Sequence, residues 1–88
     1  MRSAPVQEYI RSHPLGQLAQ RLLQGQGDAK GCQQAFEQLT QEQGAMNTGA
    51  FWSLTHRLVY KLAPNPRSAF SAMMAVTELQ LAIEGAQA

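Results

Sequence analysis

The side chains able to do chemistry in this 88-residue chain are few and widely spaced. It has two histidines, His13 and His56, and a single cysteine, Cys32. Neither histidine has a second histidine or a cysteine three or four residues away, the spacing that puts two metal ligands on one helical face. A lone cysteine also excludes an intrachain disulfide and a zinc site made of several thiolates. The sequence therefore predicts neither a metal site nor a cofactor.

Groups suited to catalysis are equally sparse. Cys32 falls within the apolar stripe of a predicted helix, where a small thiol is an ordinary core residue. No two of the six acidic residues adjoin in the apolar setting that raises a carboxyl pKa for acid catalysis. The segment 25–27 has glycines but lacks the lysine and the preceding strand of a phosphate-binding loop. We therefore expect a protein without enzymatic activity, although a site shared between two protomers would leave no such signature.

The elements that must position these side chains are helices. Apolar residues recur at helical spacing in five segments, and no segment is a good strand candidate. The clearest example runs from Leu15 to Leu23, with apolar residues at i, i+3, i+4, i+7 and i+8. The predicted helices cover about residues 4–12, 14–24, 28–43, 48–62 and 66–84.

Several helix ends carry their own sequence signals. Asp28, Asn47 or Thr48, and Asn65 are suitable N-caps, because short polar side chains can accept a backbone N–H of the first turn. Gly44 suits the end of the third helix, where a left-handed residue commonly stops the chain. Short connections make successive helices antiparallel or steeply crossed neighbours. The predicted fold is one all-α domain over residues 1–88, a small bundle of four to five short helices: antiparallel hairpins plus an apolar C-terminal helix.

Composition limits the classes of partner. Hydrophobic residues make up 44% of the chain and charged residues only 15%, against roughly 25% in ordinary domains. A net charge of +1 creates no strong field, so overall charge implies neither a nucleic acid nor a membrane surface. The sequence has no apolar signal segment and no run of about 18 apolar residues. Together with the single cysteine, this predicts a cytoplasmic protein and no membrane partner.

The C-terminal segment, residues 65–88, is apolar on nearly every side of its predicted helix. Such a helix is either the centre of a bundle or a surface shared with another chain. Five short helices bury few large side chains, each contributing about 1.5–3 kcal/mol, and the ordering entropy of the chain opposes this closely. We therefore expect a protein partner, a homo-oligomer or both, and infer no small-molecule substrate.

The functional hypothesis that follows is a small non-catalytic interaction module, an adaptor, regulator, inhibitor or dedicated chaperone. Its fourth and fifth helices would accept or donate a helix through an apolar face. Aromatic residues and methionines are enriched at interface centres, and charges at the rim set orientation and on-rate. The predicted partner-binding residues are Phe51, Trp52, Leu58, Phe70, Met73 and Met74, with Arg57, Lys61 and Arg67 as rim charges.

The alternative hypothesis is a degenerate helix-turn-helix dimer that binds nucleic acid through residues near 40–61. Two short helices joined by a glycine-containing turn favour it. Base-reading positions early in the second helix should be polar, however, and here they are Ala50, Phe51 and Trp52. The basic residues at the end of that helix also suit its C-terminal dipole. Nucleic-acid binding is thus the weaker hypothesis.

Overall fold

The computed structural model describes residues 4–87, and every regular element within them is an α-helix. The predicted all-α bundle is confirmed. The last helix continues past residue 84, where the sequence pattern ends. The elements are α1 (Ala4–Ser12), α2 (Pro14–Leu23), α3 (Ala29–Gln43), α4 (Thr48–Leu62) and α5 (Pro66–Gln87).

Aspartate or asparagine side chains cap the starts of three helices. Asp28, Asn47 and Asn65 precede α3, α4 and α5, and each side-chain oxygen accepts the backbone N–H three residues further on, at 2.7, 2.7 and 2.9 Å. Asn47, rather than Thr48, is therefore the cap of α4. Gly44 ends α3 with a φ of 80°, a left-handed value that glycine adopts without steric cost. These local interactions explain why α3, α4 and α5 begin, and why α3 ends, within one residue of the predicted positions.

The centre of the bundle is α2, the second helix, and not the apolar C-terminal helix. α2 packs against each of the other four helices, and its Leu18 and Ala19 side chains are fully buried. Gly16 brings α2 against the backbone of α1 at Tyr9 and Ile10, where a side chain would not fit. α5 packs against α4 and α2 only on one side. Of the two expectations for α5, the central position is therefore wrong.

The core joins side chains from all five helices. Its fully buried members include Leu18, Val59 and Val76, from α2, α4 and α5, together with Ala35 of α3. Cys32 is buried in the same cluster, as its place in the apolar stripe of α3 predicts. Among the described helices, none combines the length and the apolar character needed to cross a lipid bilayer.

Candidate interaction surfaces

The structure separates the nine predicted partner-binding residues. Phe51 and Trp52 are only 2% and 6% exposed, and their rings meet edge to face within the core. They line the inner side of a cleft of about 480 Å³ between α3, α4 and the end of α5. Little of either ring is therefore offered to a partner at the surface. Met73 is half-buried against the core.

Three of the predicted residues come together in a groove bounded by α1, α2, α3 and α4, which we call the α4 groove. Its volume is about 280 Å³. The floor is apolar and consists of Leu15, Leu39, Leu54 and Leu58. The remaining lining is polar or amphipathic and consists of Tyr9, Gln43, Arg57 and Lys61.

A histidine holds the walls of the α4 groove together. His13 is 8% exposed, and its Nδ1 accepts the backbone N–H of Leu15 at 3.0 Å, which caps α2. A nitrogen that accepts this bond carries no proton, so the neutral ring is protonated at Nε2. Nε2 lies 2.9 Å from Glu42 Oε1 on α3 and donates to it. The same ring stacks on Tyr9 of α1, with centroids 4.5 Å apart.

These contacts shift the pKa values of two groups beside the groove. The hydrogen bond from His13, followed by one from Gln38, lowers the pKa of Glu42 below its usual value. Burial raises the pKa of Tyr9, and the negative charge of Glu42 raises it further. At neutral pH the Glu42 carboxylate is therefore charged and the Tyr9 hydroxyl is neutral. Sequence reasoning missed the His13–Glu42 pair because its members lie 29 residues apart.

The rim of the α4 groove carries positive charge. Arg57 and Lys61 are both exposed and lie one turn apart on α4. Like charges at this spacing destabilise a helix slightly. Within residues 4–87 the ion pair between charged side chains is Arg11–Glu8, and Glu42 is hydrogen-bonded to the neutral His13, so neither rim cation has an acidic partner in that part of the chain.

A second surface lies on the outer face of α5, a helix that contributes no residue to the lining of the α4 groove. Phe70, Met74 and Leu81 fall within about 40° of one another around the helix, because successive residues turn by about 100°. Their side chains are 68%, 50% and 64% exposed. We call these three residues the α5 outer stripe.

The buried residues on the inner face of α5 are the smaller ones. Ala69, Ala72 and Val76 are buried against α2 and α4. Ser71, Thr77, Glu78 and Glu84 of α5 are exposed, and Gln80 is half-buried. Thr77 and Glu78 share the exposed side of the helix with the α5 outer stripe, so the three large apolar side chains of the stripe face solvent, whereas Met73, Leu79 and Ile83 are half-buried against the core.

No arrangement of reactive groups accompanies these surfaces in the described part of the chain. Burial, reinforced by the negative charge of Asp28, raises the pKa of the Cys32 thiol to about 11, which keeps it protonated at neutral pH. Both ring nitrogens of His13 are engaged in hydrogen bonds. Within residues 4–87, no three histidine, cysteine, aspartate or glutamate side chains are grouped so as to hold a metal ion.

Comparison of the chain with protein-family models, with curated proteins and with solved structures finds no match in any of the three.

Proposed function

We propose that this protein is a non-catalytic protein–protein interaction module of the adaptor, regulator or chaperone class. Its α4 groove binds an acidic amphipathic helix of a partner protein. The observation that carries the proposal is that Arg57 and Lys61, on the rim of an apolar groove, have no ion-pair partner among residues 4–87. A cytoplasmic location is part of the proposal and fits the free thiol of Cys32.

The size of the groove favours a side chain of a protein partner over a small ligand. Drug-sized ligands occupy clefts of roughly 300–1,000 Å³. The α4 groove, at about 280 Å³, lies just below that range. It is open along α4 and has a leucine floor, which suits one or two large apolar side chains of a docked helix. Helix-in-groove recognition uses apolar residues at i, i+3 or i+4, and i+7 in this way.

The charges of the groove define the flanks of that helix. Arg57 and Lys61 repel one another weakly. A carboxylate of the partner placed between them would attract both cations and offset this repulsion. Glu42 does not neutralise these cations, because its carboxylate already accepts hydrogen bonds from His13 and Gln38. The partner therefore supplies the acidic groups, one turn apart beside its apolar face. Phosphate contacts of a nucleic acid need no leucine floor and need more cations than these two.

The proposed contact surface is formed by different helices from those predicted. The sequence placed the contact surface on α4 and α5 together, whereas the proposed groove combines α4 with α1, α2 and α3. Arg57, Leu58 and Lys61 keep the roles predicted for them, with the leucine as apolar contact and the cations as rim charges.

The test uses a synthetic 16-residue helical peptide made of alanine, leucine and glutamate, with leucines on one face and glutamates flanking it. Binding is measured by fluorescence anisotropy of a labelled peptide. We expect the double variant Arg57→Glu/Lys61→Glu to bind it at least tenfold more weakly than the unchanged protein. We expect the same variant to prefer a peptide in which lysine replaces every glutamate. Rising salt should weaken the unchanged complex, because the rim charges are exposed.

Lys30→Glu is the matched control, since it reverses an exposed charge on α3 away from the groove. It should leave peptide binding unchanged. The proposal fails if the glutamate and lysine peptides bind the unchanged protein equally, or if the double reversal has no effect. Binding of duplex DNA at the same salt concentration, lost in the double variant while no peptide binds, would favour the nucleic-acid hypothesis instead.

A further inference from the structure

We propose that the α5 outer stripe pairs with the same stripe of a second copy of this chain, in an antiparallel register centred between residues 75 and 76. The pairing is independent of the α4 groove and uses a different helix. It gives a two-fold symmetric dimer, in which the same patch serves on both subunits.

The apolar residues of α5 fit this register. Phe70 and Leu81 lie at equal distances on either side of the centre, so Phe70 of one chain faces Leu81 of the partner subunit at both ends of the stripe. Met74 faces Thr77 of the partner subunit near the middle. The stripe is about 16 Å long, at 1.5 Å per residue. All four of these side chains are exposed and free to make such contacts.

The charges of α5 fit the same register. Arg67 is the only basic residue of the helix, and it lies near the start. Both acidic residues, Glu78 and Glu84, lie in its second half. The register that sets Phe70 opposite Leu81 of the partner subunit also sets Arg67 opposite Glu84 of the partner subunit. A parallel pair would instead place like charges side by side, which is unfavourable.

The side chain of Glu84 is already oriented within its own helix. Gln80, one turn earlier, donates a hydrogen bond to Glu84 Oε1 at 3.2 Å. Neither Arg67 nor Glu84 is in an ion pair within residues 4–87. The opposite charges at the two ends of the stripe are therefore free to meet across the symmetry axis.

The extent of the stripe sets the strength of the dimer. Stable interfaces bury about 800 Å² on each partner. Three half-exposed or exposed apolar side chains supply less than that, and association costs translational and rotational freedom. The dimer is therefore weak and reversible, with a dissociation constant of roughly 10–100 μM.

Sedimentation equilibrium from 10 μM to 1 mM tests the dimer. We expect the mass to rise from 9.6 kDa toward twice that value. Arg67→Glu and Glu84→Arg should each weaken association about tenfold, because each reversal acts at two symmetric sites. The double variant Arg67→Glu/Glu84→Arg should restore it. A protein that stays monomeric at 1 mM overturns the proposal, and so does a double variant as weak as the single ones.

Disulfide cross-linking tests the register with two single substitutions at exposed positions that leave the stripe intact. Thr77→Cys should give a covalent dimer on oxidation, since the register places position 77 about 4.5 Å along the axis from its counterpart. Ser71→Cys should not, since its counterpart lies about 14 Å away. The unchanged protein is the control for Cys32, whose thiol is buried. Equal cross-linking of both variants, or none at Thr77→Cys, overturns the antiparallel register.

Discussion

Replacing Gly16 by alanine tests the contact that sets α1, and with it one wall of the α4 groove. A Cβ at Gly16 would lie 2.5 Å from Tyr9 O and 2.7 Å from Ile10 Cα. Both are backbone atoms, so no side-chain rotation can relieve the overlap. Carbon and oxygen atoms in close contact are normally at least about 3.3 Å apart. The new methyl group therefore pushes α1 away from α2 by about 0.8 Å.

The expected loss of stability is the difference between two opposing effects. Inserting a methyl group into a packed contact costs about 1–3 kcal/mol, and an immovable neighbour places this site at the upper end. Alanine recovers about 1 kcal/mol, because glycine is the poorer helix former. We therefore expect Gly16→Ala to lower the free energy of unfolding by about 2 kcal/mol.

Urea unfolding followed by far-ultraviolet circular dichroism measures this change. Gly85→Ala is the matched control, because the same substitution in α5 meets no atom within 4 Å. It should raise the free energy of unfolding by up to about 1 kcal/mol. The displaced Tyr9 also alters the groove, so Gly16→Ala should weaken binding of the glutamate peptide. If Gly16→Ala stabilises the protein as Gly85→Ala does, then α1 does not lie against α2 as described.

Three further predictions concern titratable side chains. The pKa of Glu42 is lower in the folded chain than its usual value, so its contribution to stability is present above about pH 4.3 and disappears as the pH falls through the folded value. Unfolding curves of the unchanged protein and Glu42→Gln should thus differ most at neutral pH and converge in acid; a gap independent of pH would contradict this. His56→Leu should stabilise the chain by about 1 kcal/mol, because the buried Nδ1 of His56 has no hydrogen-bond partner within residues 4–87. His13→Leu should instead lower the free energy of unfolding by about 1 kcal/mol or more, because the α2 cap is lost. If chemical denaturation shows that both histidine substitutions stabilise the chain, or that both destabilise it, the different roles assigned to the two histidines are wrong.

The local parts of the fold could be predicted from the sequence because their causes are local. Caps such as Asp28 and Asn65 act on the next turn of the chain, and Gly44 adopts its left-handed conformation without help from distant residues. Helical spacing of apolar residues also identifies which side of α2 or α3 is buried. These features are determined by interactions between residues that lie within one or two helical turns of one another.

The arrangement of the helices could not be predicted in the same way. Gly16 within α2 looks like a weak point of a helix until α1 is placed against it. The contact of His13 with Glu42 joins residues from different helices, and neither residue type has a strong preference for the other. Phe51 and Trp52 have the composition of an interface centre and equally that of a core, and only packing decides between them. Whether an apolar helix face is buried depends on which helices pack against it, and the spacing of apolar residues does not identify those helices.

The exposed side of α5 follows from how closely that helix packs. A helix with apolar residues on every side gains most by burying its largest side chains, if its neighbours leave room. Here Ala69 and Ala72 face α2 and α4, so the helices approach closely and the bulkier Phe70 and Leu81 are turned outward. Turning the helix to bury Phe70 would force these neighbours apart and sacrifice contacts already made in a dense core. The apolar excess of α5 is therefore not unused core material. It is surface that the described part of the chain leaves uncovered, and in the proposed dimer a second α5 would cover it with a complementary arrangement of charge.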